Sequence, residues 1–282
     1  MNILMHIAFD NSSRLKGRIY YFEYKGVQFK LIQNNPRAWA DVLLALAPVD
    51  DRVAQQRVYA TAAEFLSALS WENKSCVSVE YVGGVGVPYG YALKQGKCRV
   101  FVFPNTPFKG RHVGYGLSRI PEIENDEQRT ALTLFREAMS SNKIWLSFLF
   151  YWQVLEVGGG NPVAWINKEY YKKRRLFIPN DEIKLLAIGT RKIGDYLLDD
   201  CRHAIAHIRR APCNRAIQLD VQDDNLRMKV STSIAKSVAE NYILLELGLR
   251  KKLHLVKLRR NNFPKYVDSL ELRHKPYVLI DP

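Results

Sequence analysis

The sequence has no apolar run long enough to cross a bilayer. Its most apolar stretch, IWLSFLFYW at 144–152, is nine residues, about half of the ~18 that a span requires. A buried helix is expected there, and no membrane partner. The opening residues MNILMHIAFDNSSRLK lack a basic segment leading into an apolar one and a small-residue cleavage site, so no signal peptide is expected and the cytoplasm is the expected compartment. Cysteines are few. Cys76, Cys98, Cys201 and Cys213 stand apart with no CxxC pair, which argues against a zinc ribbon or a disulfide framework and for reduced, structural thiols. The glycine-rich VGGVGVPYGY at 82–91 contains neither GxGxxG nor a GK[ST] ending, so a loop or hairpin is expected rather than a phosphate cradle. No HExxH occurs. No cofactor and no metal are expected.

Acidic residues are scarce relative to basic ones. The net charge is +14, a surplus that attracts polyanions at ordinary salt. It divides evenly: residues 1–120 carry 15 basic and 8 acidic residues, and residues 121–282 carry 27 and 20. Three clusters lie in the second half: Lys172, Lys173, Arg174 and Arg175; Arg209, Arg210 and Arg215; and Arg250, Lys251, Lys252, Lys257, Arg259 and Arg260. Each alone reads as a solvated face, and the three together point to nucleic acid, with RNA the expected partner. A salt-sensitive, sequence-independent grip by the basic tail near 250–260 is a further expectation.

A chain of 282 residues is comfortable for two domains. In the first, GRIYYFEYKGVQFKLI at 17–32 predicts a hairpin about Lys25-Gly26, and RVAQQRVYATAAEFLSALS at 53–71 predicts a helix. VSVEYV at 77–82 and CRVFVF at 98–103 read as strands. The polar PEIENDEQRT at 121–130 marks a linker into helical sequence. The expected organisation is a mixed α+β domain over 1–122 and an all-α helical bundle over 123–282. Helices are expected over about 127–157, 181–209 and 225–247, ended by Gly158–Gly160, Pro212 and Gly248.

The helix over 181–209 carries DDCRHAIAHIRRAP at 199–212. Ile183, Leu186, Ile193, Leu197, Cys201, Ile205 and Ile208 recur as one buried stripe. With Cys201 at zero and ~100° per residue, Arg209 falls near ~80°, Arg202 near ~100°, Asp199 near ~160°, Arg210 near ~180°, His203 near ~200° and His207 near ~240°. All point away from the stripe. Ala204 and Ala206 among them leave room for another helix, a second subunit or a substrate strand. Three readings stand. The residues form a solvated face. Alternatively His203 and His207, four apart, ligate a metal, against the repulsion of Arg202, Arg209 and Arg210. In the third reading Arg202 and His207 supply the fixed charge and the proton-transfer group of metal-free RNA cleavage.

The stretch RHAIAH resembles the R-x4-6-H motif of HEPN domains, and FREAMSSNKIWLSFLFYWQVLEV resembles the first long helix of C-terminal, ApeA-like members. The resemblance covers roughly residues 127–248. It implies a HEPN-type bundle and a metal-independent endoribonuclease that leaves a 2',3'-cyclic phosphate. The active site would form at the interface of a homodimer, and the role would be a toxin or defence one. Arg202 and His207 would be catalytic and His203 the auxiliary polar residue. Glu156 and Asp199 are candidate orienting acids on physical grounds, and Arg209, Arg210 and Lys172, Lys173, Arg174, Arg175 are candidate RNA contacts. Many relatives have glycine where this chain has Ile208, and some members are non-catalytic scaffolds, so a dimerisation or nucleotide-binding role is the alternative. Over its whole length, YATAAEFLSALSWEN included, the chain also resembles methylamine utilisation MauJ-like proteins.

Overall fold

The computed structural model describes residues 2–14, 19–33, 41–48, 51–87, 112–113, 117, 119–172, 178, 180–186, 188–206 and 221–257. These divide into two compact units, one within Met1–Leu66, Ser75–Ile120 and Leu253–Pro282, the other within Ser67–Lys74 and Pro121–Lys252. The first is built on an antiparallel sheet and the second is helical.

Alternation of inward and outward side chains builds the sheet. In β1 (Asn2–Asn11), Met5, Ile7 and Phe9 are buried at every second position, the spacing by which a strand turns one set of side chains to one face. β3 (Ile19–Tyr24) and β4 (Val27–Ile32) form the expected hairpin, with Lys25 at φ 48° and Gly26 at φ 75°. Positive φ at both central positions is the turn geometry whose twist suits a two-residue hairpin. β5 (Asp41–Pro48) follows, and α1 (Arg52–Asn73) spans the helix expected from alanine-rich spacing. Phe65 of α1 packs against Phe22, Tyr24 and Phe29 of the hairpin. The strand order is β10-β3-β4-β5-β1-β6, each pair antiparallel, where β6 is Val77–Val87 and β10 is Val256–Lys257. Short pairs are made by β2 (Ser13–Arg14) with β7 (His112–Val113) and by β8 (Arg119–Pro121) with β9 (Lys252–His254).

Of the loop or hairpin expected at 82–91, the loop does not begin before Val87: Gly83, Gly84 and Gly86 lie within β6, opposite His6, Met5 and Ile3, and residues 88–91 lie outside the described residues. A ladder along the whole of β1 supplies their hydrogen bonds, and that long-range pairing outweighs the weak strand propensity of glycine. The expected strand at 98–103 lies outside the described residues.

In the helical unit, α2 (Asp126–Ser140) begins as its sequence predicts. Asn125 caps it, the Asn125 Oδ1 accepting the Gln128 N–H at 2.8 Å, and Gln128 Oε1 in return accepts the Glu124 N–H at 2.7 Å. Asp126 and Glu127 sit in the first turn, where the helix dipole favours them. The single helix expected over 127–157 is two helices. Ser141 is extended at ψ 132°, and α3 (Ile144–Glu156) restarts beyond it. The break lets α3 fold back and pack on α2, Phe135 meeting Tyr151 edge-on at 5.2 Å. One continuous helix would leave those two apolar faces apart.

α3 ends at Gly158–Gly160, with Gly159 at φ 67°. α4 (Pro162–Asn167) starts at once, capped by Asn161, and runs into a wider turn with i→i+5 bonding at Lys168–Lys172. The helix expected over 181–209 is interrupted: α5 (Asn180–Lys184), a break containing Gly189 at φ 62°, α6 (Ile193–Tyr196), a second wide turn at Leu197–Arg202, and α7 (His203–Ala206). α8 (Gln222–Leu245) realises the last expected helix and closes at Gly248, φ 68°. Among the described residues no helix is long and apolar enough to cross a membrane.

Candidate functional site

The motif is held from beneath. Ile193, Tyr196, Leu197, Cys201 and Ala204 are buried, and the wide turn packs against both α3 and α8. Ala204 was expected to face outward and Ile205 inward. Instead Ala204 is buried and Ile205 half-buried: at ~100° per residue from Cys201, Ala204 falls near ~300°, between Ile193 near ~280° and Leu197 near ~320°, on the buried stripe itself. Cys201 donates its S–H to Ser231 Oγ at 3.3 Å, and burial pushes its thiol up to about 12. It is a structural thiol.

The start of this segment is fixed to α4. Gly194 N–H donates to Asn167 Oδ1 at 3.1 Å, Asn167 Nδ2 donates to Asp195 Oδ2 at 3.3 Å, and Ile193 N–H donates to the Tyr171 hydroxyl at 3.2 Å. Arg191 pairs with Asp200 and lies over the Tyr196 ring at 5.2 Å.

Above that base, α3, the glycine turn, α4 and the wide turn enclose an open cleft of about 440 Å³. Trp152, Glu156, Gly159, Gly160, Asn161, Pro162, Val163, Leu198, Arg202 and His203 line it. Three of the residues singled out in the sequence thus meet in one place: Glu156, Arg202 and His203. Glu156 Oε1 accepts the Trp152 indole N–H at 2.9 Å and stands 3.9 Å from Arg202 Nη2. His203 Nδ1 lies 3.6 Å from Asp199 Oδ1, one turn earlier. Arg202 is 32% exposed and His203 30%, so both are reachable and partly desolvated. A guanidinium and an imidazole, each beside a carboxylate, can hold an anion and move a proton.

His207, Arg209, Arg210, Lys173, Arg174 and Arg175 lie outside the described residues, and Lys172 closes the wide turn after α4. Trp152, Asn161 and Leu198 were not anticipated at the site. Their signals are in the sequence: Trp152 precedes Glu156 by four residues and Leu198 precedes Arg202 by four, so each shares a helix face with its partner. The Asn161-Pro162 pair is a helix start set directly after a glycine run.

The family model described as "Methylamine utilization protein MauJ" matches residues 131–244. No curated protein and no solved structure matches the chain. The matched span lies inside the helical unit and includes Trp152, Glu156, Asp199, Arg202 and His203, so the cleft belongs to the part of the chain that is similar to MauJ.

Proposed function

We propose that the protein is a metal-independent endoribonuclease of the HEPN type, acting as a homodimer, with a role in defence or stress. The observation that carries this reading is the cleft in which Arg202 and His203 stand together beside Glu156 and Asp199. The HEPN assignment itself rests on the motif and the helix pattern of the sequence. In this reading the ribose 2'-hydroxyl loses its proton and attacks the adjacent phosphorus. The bond to the 5' oxygen breaks, that oxygen takes a proton, and a 2',3'-cyclic phosphate and a 5'-hydroxyl remain. Arg202 supplies fixed positive charge to the phosphate oxygens, His207 transfers the proton, and His203, held by Asp199, is the auxiliary polar group. A net charge of +14 draws RNA to the surface.

The test is incubation of tRNA and total RNA with the purified protein in EDTA, beside Arg202→Ala and His207→Ala. Cleavage by the unaltered protein and a loss of about a hundredfold or more in each variant is the expected result. No cleavage, or equal cleavage by all three, sinks the nuclease reading.

A second reading is a non-catalytic dimerisation, nucleotide-binding or RNA-binding protein, an accessory in methylamine utilisation. The match to the MauJ family model favours it. RNA binding without cleavage in the same experiment is its signature.

A further inference from the structure

Glu156 is held in place by a residue that has no other polar work in the cleft. Trp152 is 2% exposed, its ring stacks on Phe148 at 6.3 Å, and its only side-chain donor, the indole N–H, is spent on Glu156 Oε1 at 2.9 Å. That same oxygen faces Arg202 Nη2 at 3.9 Å. A glutamate at the exposed end of a helix ordinarily samples several rotamers. This one is pinned from the buried side, and its charge stays opposite the guanidinium. A carboxylate and a phosphate can each present two oxygens to arginine's planar fork, so Glu156 stands where an anion approaching Arg202 has to compete.

We propose that the Trp152–Glu156 pair is a resident mask on Arg202: the anchored carboxylate occupies the guanidinium until an incoming phosphate group displaces it. The mask concerns the same cleft as the nuclease reading and rests on that reading only for the identity of the displacing anion. It makes Glu156 and Trp152 positioning residues that act through Arg202. The carboxylate and guanidinium are both partly solvated, 42% and 32% exposed, so the hold is that of a surface pair and its removal is worth about two- to fivefold in availability of Arg202.

The experiment reads the guanidinium directly. The full chain is treated with an arginine-specific dicarbonyl reagent, and modification of Arg202 is followed by peptide mass mapping. Glu156→Gln and Trp152→Phe are compared with the unaltered protein, with and without inorganic phosphate. Thermal melts establish that each variant is folded, and Glu156→Gln, at an exposed helix end, keeps the test available if Trp152→Phe unfolds. Faster modification of Arg202 in Glu156→Gln, by about two- to fivefold, supports the mask. Glu156→Asp is expected to fall between the two, since it keeps the charge and is one methylene short of both partners. Modification of Glu156→Gln at the unaltered rate overturns the proposal, as does a folded Trp152→Phe that labels no faster than the unaltered protein. Faster labelling of Glu156→Gln with no protection by phosphate in any variant leaves the pairing of Glu156 with Arg202 in place but overturns displacement by phosphate, whereas the nuclease reading stands or falls on the cleavage assay.

Discussion

Gly194 lies directly under Asn167: a Cβ at position 194 would stand 2.9 Å from the Asn167 Oδ1 and 3.0 Å from the Val163 carbonyl oxygen. The Gly194 N–H already donates to that same Oδ1. Two effects of Gly194→Ala oppose each other. Alanine gains up to about 1 kcal/mol of helix propensity. Against it, one of the crowded atoms is backbone and cannot swing away, and overpacking of this kind costs about 1–3 kcal/mol. The clash wins. Denaturant unfolding is expected to show a net loss of about 1–2 kcal/mol, and the shift of α6 is expected to move the cleft residues beyond it. An unchanged or raised midpoint would show that α4 and α6 can part without cost.

Cys201 leads to an alkaline prediction. Burial raises its thiol from an ordinary 9.0 to about 12, and burial likewise raises the Tyr196 hydroxyl. The unfolded chain loses the thiol proton near pH 9 while the folded chain keeps it, so above that pH the unfolded state binds fewer protons and stability falls as pH rises. The contribution is fully present below pH 9.0 and is lost toward pH 12. Unfolding midpoints measured between pH 8 and pH 11 are expected to decline more steeply for the unaltered protein than for Cys201→Ala. Alkylation at pH 8 is expected to spare Cys201 until the chain is unfolded.

The sheet unit offers a separate test. Glu64 is 5% exposed, accepts the Tyr24 hydroxyl at 2.6 Å and pairs with Lys25 at 2.5 Å. Tyr24→Phe removes one hydrogen bond to a buried carboxylate, at a cost of about 1.5–3 kcal/mol. Chemical denaturation is expected to register that loss with little change in the cleft, because Tyr24 and Glu64 belong to the other unit. A variant as stable as the parent would mean that the remaining contacts of Glu64, Lys25 among them, hold its charge without the tyrosine.

These outcomes bear on how much of the molecule was legible beforehand. The hairpin at Lys25-Gly26, α1, the capped start of α2 and the glycine stops after α3 and α8 follow from local chemistry, and the sequence displays local chemistry. Pairing across long separations is another matter. MNILMHIAFD becomes β1 because it lies between β5 and β6, both distant in the chain, and DVLLALAP becomes β5 between that strand and its sequence neighbour β4; an apolar run as short as DVLLALAP does not declare itself strand or helix. The glycines of β6 became strand for the same reason. At the cleft, Glu156, Arg202 and His203 were named from their chemistry, but their meeting depends on the break at Ser141 and on the wide turn at Leu197–Arg202. The break is signalled by the polar Ser140-Ser141-Asn142 run, where Ser141 Oγ accepts the Lys143 N–H at 3.2 Å; the wide turn has no residue signature of its own. Trp152, expected in a buried helix, is core, and the polar edge of its ring serves the cleft.

The wide turn at Leu197–Arg202 makes chain length a component of the site. It carries the chain from Gly194, which is clamped to α4, to Arg202, which stands beside Glu156, and to His203, which lines the same cleft. Each residue added to or removed from an α-helix rotates everything beyond it by ~100°, and a wide turn, with more residues per turn, rotates it by somewhat less. The number of residues counted out between the clamp and the arginine therefore specifies the cleft as firmly as their identity. A chain that kept every cleft residue but lost one position among Asp195, Tyr196 and Leu197 would carry the same chemistry pointed elsewhere.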